Sequence, residues 1–126
     1  MKTLLLTLVL GYAGIACVVW IAQEKLLFYP RALQGAARPP AGWKLESVSL
    51  TTADGTRIAG VLVLPSVERA PLVIYFGGNA EEVTAYAPFA AETYGERAVL
   101  FVNYRGYGES GGSPSERALV ADAAEL

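Results

Sequence analysis

The stretch "YRGYGESGGSPSE", Tyr104 to Glu116, packs the most chemistry-bearing residues into the shortest span of the chain. Gly106, Gly108 and Gly111 spell G-x-G-x-x-G, a spacing that lets backbone N–H groups approach a dinucleotide pyrophosphate. Gly108, Ser110 and Gly112 spell G-x-S-x-G, the spacing of a turn that lifts a nucleophilic serine between a strand and a helix. "GESGG" differs only by Glu for Asp from G-D-S-G-G, the string around a protease serine. Each chemistry demands different surroundings, so composition and context decide among them.

The 126 residues contain no histidine. A Ser-His or Cys-His dyad therefore cannot be assembled from them, because the proton acceptor is missing. The protease pattern also belongs to all-β chains, which this is not. The dinucleotide pattern needs its helix to begin inside the glycine run. Here the helix signal starts at Ser113, after the last of the four glycines. The G-x-S-x-G turn needs a strand directly before its serine. Ser110 is separated from the strand by Arg105-Gly106-Tyr107-Gly108, and Pro114 follows it. Ser110 is expected to be a loop hydroxyl bonded to nearby backbone. With one cysteine, Cys17, no internal disulfide forms and an ordinary metal site is not expected. Cys17 itself reads as a small buried residue. The net charge of -2 comes with scattered basic residues, so no nucleic-acid surface is expected. Arg57, Arg69 and Arg97 read as solvated surface charge.

The elements that must hold this loop follow from periodicity. Leu4 to Ala22 is an uncharged apolar run, followed by Gln23-Glu24-Lys25. As a helix at about 1.5 Å per residue it is long enough for a hydrocarbon core of roughly 30 Å. A retained anchor is favoured over a cleaved signal peptide, because the apolar run continues past Gly14-Ile15-Ala16 through Val18-Val19-Trp20-Ile21. Trp20 and Tyr29 are placed near the far interface. Lys2 and the terminal amine on one side, against Lys25 and Arg31 offset by Glu24 on the other, lean towards a domain on the non-cytoplasmic side. Three parts result: an anchor over 1–24, a Pro-, Gly- and Ala-rich linker over 25–42, and a domain over 43–126.

Within the domain, "WKLESVSLTT" alternates and predicts a strand. Ala53-Asp54-Gly55 is a turn signal, and "TRIAGVLVLP" completes an antiparallel hairpin. "PLVIYF" is a continuous apolar run, expected of a strand buried on both faces. A helix is predicted over 80–94, with Asn79 as N-cap, Glu81 and Glu82 in its first turn, Pro88 kinking or splitting it, and Gly95 ending it. "RAVLFVNY" is a further buried strand, whose exposed edge invites strand pairing. Ser113, Pro114 and Glu116 predict a last helix, with Ser113 at its N-cap. The order is anchor, linker, β-hairpin, then β-α-β-α: an α/β sheet that stops after two parallel strands.

"YFGGNAEEV" followed by "VLFVNYRGYGESGGSPSE" resembles the N-terminal half of an α/β-hydrolase, closest to a membrane-anchored, serine-aminopeptidase-like branch. The resemblance runs from Gln23 to Leu126 and includes "QEKLLFYP". It implies that the turn after the third strand contributes to an oxyanion hole, with the backbone N–H groups of Asn79 and Gly78 as candidate donors. It implies that Arg105, Gly106, Tyr107, Gly108 and Ser110 lie in a loop beside the active site, and that Ser110 is not the nucleophile. Gly77 stands where the family often has His, and Asn103 where it often has Asp; neither change removes a backbone donor. From the residues alone, Gly77-Gly78-Asn79 equally well turns a strand into a helix and caps it. Arg105 reads as an ion-pairing or carbonyl-binding residue, Tyr104 and Tyr107 as packing groups. Asp122 does not correspond to the family's catalytic acid, which comes later in the chain.

The resemblance thus implies the N-terminal portion of a membrane-anchored serine hydrolase for esters, thioesters or amides. The nucleophile elbow, acid and His would lie beyond these residues, and the chain as given is expected to be inactive. A small acyl compound is the implied substrate of the complete protein, with no cofactor, metal or nucleic acid. The alternative is a non-catalytic, membrane-tethered half-domain that pairs with a partner protein through its open sheet edge.

Overall fold

The structure, a computed structural model, describes residues 2–126. Helix α1 spans Lys2–Leu27. It outruns the apolar stretch because Gln23 to Leu27 are good helix formers and no proline intervenes before Pro30. It is long and apolar enough to cross a membrane, and none of its residues is buried against the protein. Cys17 is therefore exposed on α1 rather than buried, since that helix packs on no other element.

Strands β1 (Lys44–Thr51) and β2 (Arg57–Leu64) form the expected hairpin, in register from Lys44↔Leu64 to Thr51↔Arg57. Its turn is closed by Gly55, at φ +82°, whose N–H donates to the Thr52 carbonyl at 2.8 Å. Asp54 braces the same turn: its Oδ1 accepts from the Thr52 hydroxyl at 2.6 Å and from the Thr56 N–H at 3.0 Å. Strands β3 (Leu72–Phe76) and β4 (Ala98–Val102) run parallel, and β4 also pairs antiparallel with β2. The sheet order is β1-β2-β4-β3.

This order corrects two expectations. The sheet edges are β1 and β3, not β4, which sits between β2 and β3. The run "PLVIYF" is not buried on both faces: Leu72 is 56% and Ile74 42% exposed. A doubly apolar strand shows what it can bury, while its neighbours decide what it does bury.

Val61, Val63, Val99 and Phe101 pack on one sheet face, joined by Val83, Ala87 and Ala90 from the segment that crosses it. Tyr75 meets Phe101 edge to face, with ring centres 5.6 Å apart. The helix expected over 80–94 divides, as Pro88 suggested, into a 3-10 helix Val83–Phe89 and helix α2, Ala90–Tyr94. Pro88 has no N–H to give an α-helical ladder. The start differs from expectation. Ala80 sits at φ +63°, so no helix begins there, and Glu82 rather than Asn79 is the N-cap, accepting from the Thr84 N–H at 3.1 Å. Helix α3 covers Glu116–Ala124 and is capped by Ser115, not Ser113. The Ser115 hydroxyl accepts from the Ala118 N–H at 3.3 Å.

Gly60 is where β2 and β4 approach too closely for any side chain. A Cβ there would lie 2.2 Å from the Phe101 carbonyl oxygen. Gly60→Ala must push apart two paired strands and is expected to cost about 3 kcal/mol, at the upper end for an overpacked core. Urea unfolding of the two chains checks this, and equal midpoints would contradict it.

Candidate active site

Because β3 and β4 are parallel, the loops that follow them emerge at one end of the sheet. Open α/β sheets bind ligands beyond the carboxyl ends of such strands. The first loop covers residues 77–82 and the second residues 103–115.

The two loops are joined through Asn103, which is 2% exposed. Its Oδ1 accepts from the Val83 N–H at 3.0 Å, and its Nδ2 donates to Glu82 Oε1 at 2.8 Å. Glu82 Oε1 also accepts from the Thr84 hydroxyl at 2.7 Å. The main chain of Asn103 is equally committed. Its N–H donates to the Ala59 carbonyl at 3.0 Å, and its carbonyl accepts from Ser110 Oγ at 3.0 Å. Gly108 packs on this amide at φ +55°, and a Cβ there would fall 2.2 Å from Asn103 Nδ2.

The first loop brings Gly78 and Asn79 to the candidate position, with different outcomes. The Gly78 N–H already donates to Glu81 Oε2 at 2.8 Å, so it is not a free donor. That carboxylate also accepts from the Tyr75 hydroxyl at 3.2 Å. The Tyr75 phenol is raised above its ordinary value, first by burial and then by the Glu81 charge. The Asn79 N–H meets no acceptor among the described residues. Its side chain does not cap a helix but reaches across the loops. Asn79 Oδ1 accepts from the Tyr107 hydroxyl at 2.9 Å and the Tyr29 N–H at 3.0 Å, and Nδ2 donates to the Leu27 carbonyl.

The second loop places its residues structurally. Ser110 Oγ accepts from the Ala59 N–H at 2.9 Å and donates to Asn103, which leaves it engaged with backbone on both sides. Tyr107 is 1% exposed, and Tyr104 stacks on Phe76 at 5.9 Å between ring centres. Gly106, at φ +80°, closes the loop on Gly111 through its N–H at 2.8 Å. Arg105 grips Asp122 of α3 with both Nε and Nη2, and its Nη1 reaches Asp54 Oδ2 at 2.9 Å. One buried guanidinium so ties the hairpin turn, the glycine loop and α3 together, as a planar fork can. Among the described residues, no three His, Cys, Asp and Glu side chains converge to hold a metal ion.

Sequence reasoning gave Glu81 and Glu82 to a helix's first turn and Tyr29 to the membrane interface, and missed their contacts at the site. Glu81 had a local signal, a carboxylate three residues after a glycine N–H. Tyr29 lies in the family-like stretch "QEKLLFYP", but its partners Asn79 and Tyr107 come from across the fold and had no local signal. The stretch expected to be a linker is likewise pinned from Leu27 to Ala32, where Ala32 bridges to Gly108 and the Arg31 carbonyl accepts from the Gly108 N–H at 2.7 Å.

Fold and site define an α/β chain whose backbone donors stand beyond the ends of parallel strands. The chain belongs to the α/β-hydrolase superfamily. It is 31% identical over 120 residues to the alpha/beta hydrolase domain-containing protein WAV2 of Arabidopsis thaliana, covering 88% of this chain and 38% of that protein. It is 34% identical over 116 residues to an uncharacterized protein of Mycobacterium tuberculosis, covering 88% of this chain and 40% of that one. The chain thus spans about two fifths of the length of these relatives. It matches no family model. Among solved structures it has a likeness to brefeldin A esterase, a bacterial homologue of human hormone sensitive lipase, with TM-score 0.48 and 15% identity over 82% of this chain and 30% of that one.

Two outcomes test the loop contacts. Asn103→Asp would lose the donor to Glu82 and set two carboxylates together in a buried site. A loss of about 3 kcal/mol is expected at pH 7, shrinking as acid protonates the pair. Stability unchanged at pH 7 would contradict the assignment. Asp54 is held well below the ordinary carboxyl value of 3.8, first by its hydrogen bonds to Thr52 and Thr56 and then by Arg105. A depressed carboxyl stabilises the fold above its unfolded value and loses that contribution as pH falls towards its folded one. The stability gap between the wild-type chain and Asp54→Asn should therefore be constant above about pH 5 and close at lower pH. Thermal unfolding from pH 7 to 2.5 measures it, and a gap that widens in acid would refute it.

Proposed function

We propose that these residues supply the first half of a serine hydrolase for esters, thioesters or amides, tethered to a membrane by α1. The observation that carries this reading is the unpartnered Asn79 N–H, held at the strand end by its own clamped side chain. A donor fixed in advance is what a developing oxyanion needs. Ser110 Oγ is bonded to main-chain groups alone, and with no histidine these residues form no Ser-His dyad around it. The nucleophile, acid and histidine of the complete active site lie outside them on this reading, and the 126-residue chain alone has no activity. The domain stands on the non-cytoplasmic side, following the charge asymmetry around α1.

The alternative, a tethered half-domain that pairs with a partner protein, draws on the open β3 edge and its exposed Leu72 and Ile74.

A fluorophosphonate probe separates the two. The 126-residue chain alone should take no label. The polypeptide from its source cells should take one, on a serine outside residues 1–126. Stoichiometric labelling of Ser110 would overturn the proposal, and a source polypeptide with no label at all would favour the partner-binding alternative.

A further inference from the structure

The contacts between α1's exit and the glycine loops have a consequence for substrate access. Asn79 Nδ2 donates to the carbonyl of Leu27, the last residue of α1. That carbonyl is one of the four a helix leaves unsatisfied at its C-terminus. Tyr29 N–H donates to Asn79 Oδ1 and, at 3.1 Å, to the Tyr107 hydroxyl. The Arg31 carbonyl and Ala32 are held by Gly108. Lys25, Phe28 and Pro30 share a cleft with Ser113 and Pro114. The end of the sheet that carries the candidate site is thus the end that meets the helix.

Depth follows from helix geometry. Leu27 lies five residues past Ala22, where the apolar run stops, which is about 7 Å along the axis. The polar layer on each side of a bilayer is roughly 5–8 Å thick. Asn79, bonded to Leu27, therefore stands at the headgroup level, the depth at which lipid ester linkages lie. Beside it opens a cleft of about 350 Å³ lined by Arg31, Gln34, Ala80, Glu81, Tyr86 and Phe89. Tyr29, Tyr86 and Phe89 are 55%, 40% and 55% exposed. The tyrosines, with an apolar ring and a wet hydroxyl, favour that level, and the exposed Phe89 ring adds apolar surface beside them.

We infer that the segment Leu27–Ala32 seats the glycine-loop end of the sheet on the bilayer, so that the site takes a lipid acyl ester arriving from the membrane. The substrate half of this statement rests on the hydrolase reading above; the seating does not.

The test uses the whole polypeptide in phosphatidylcholine vesicles, on a Cys17→Ser background. A fluorophore is attached through Tyr86→Cys, or through Glu68→Cys at the opposite end of the sheet. Nitroxide-headgroup lipid should quench the first at least two-fold more than the second. Equal or reversed quenching would overturn the seating. A second variant carries a twelve-residue Gly-Ser insertion between Ala22 and Gln23, which keeps Leu27–Ala32 docked and lifts the body off the bilayer. Its hydrolysis of a long-chain glycerol ester in the vesicles should fall at least ten-fold, while hydrolysis of a water-soluble butyrate ester stays unchanged. Loss on both esters, or on neither, would overturn the inferred access route. Quenching as expected with neither ester hydrolysed by the uninserted protein would support the seating and sink the hydrolase reading.

Discussion

Asn103 is the buried joint between two loops that otherwise meet through the Tyr107 hydroxyl on Asn79 Oδ1. β3 and β4 deliver the chain to one end of the sheet, where backbone groups leave the ladder and need partners. A buried amide offers both a donor and an acceptor, and Asn103 uses each on the first loop: Oδ1 for the Val83 N–H, Nδ2 for the Glu82 carboxylate. A carboxylate at this position accepts only and would face another carboxylate. The choice of Asn is thus tied to Glu82, and Glu82 in turn caps the 3-10 helix that covers the core. The same joint requires Gly108, since nothing larger fits against the amide. The cap on the core-covering segment and the glycine at 108 are thus both tied to one hydrogen-bonded pair.

Much of the scaffold was legible in the sequence. The hairpin, the two parallel strands and the division at Pro88 follow from alternation, apolar runs and a missing N–H. Arg105 was recognisable as an ion-pairing residue, although neither Asp54 nor Asp122 was identifiable as its partner from spacing. The errors share one cause. Asn79 and Ser113 have the chemistry of N-caps, and local reasoning assigns a cap to the first suitable residue. In the fold, Asn79 is drawn off by Leu27, Tyr29 and Tyr107, more than twenty positions away. Ala80 at φ +63° then makes a helix start impossible at that point. The edge position of β3 and the pinned exit of α1 are likewise set by tertiary partners, which periodicity does not encode.

The three serine-bearing or glycine-bearing patterns of the second loop turn out to reflect a steric requirement rather than a shared chemistry. Gly106 and Gly108 adopt positive φ so that the loop can fold back on Gly111 and approach Asn103. Ser110 fills a buried site by bonding two main-chain groups that β2 and β4 leave open. Its burial and its lack of any basic partner follow from the same role.

What the two loops present outward near Asn79 is mainly backbone. Apart from the exposed Glu109, their strongly polar side chains are spent inward: Asn103 and Glu82 on each other, Arg105 on two aspartates, Glu81 on Gly78 and Tyr75, Asn79 on the exit of α1. An N–H group carries no conformational freedom of its own once its loop is fixed, so the stabilisation it gives to developing charge depends on how rigidly the loop is held. The inward commitments supply that rigidity. The Asn79 clamp extends it to α1, so any displacement of that helix relative to the sheet acts directly on the residue that bears the free donor.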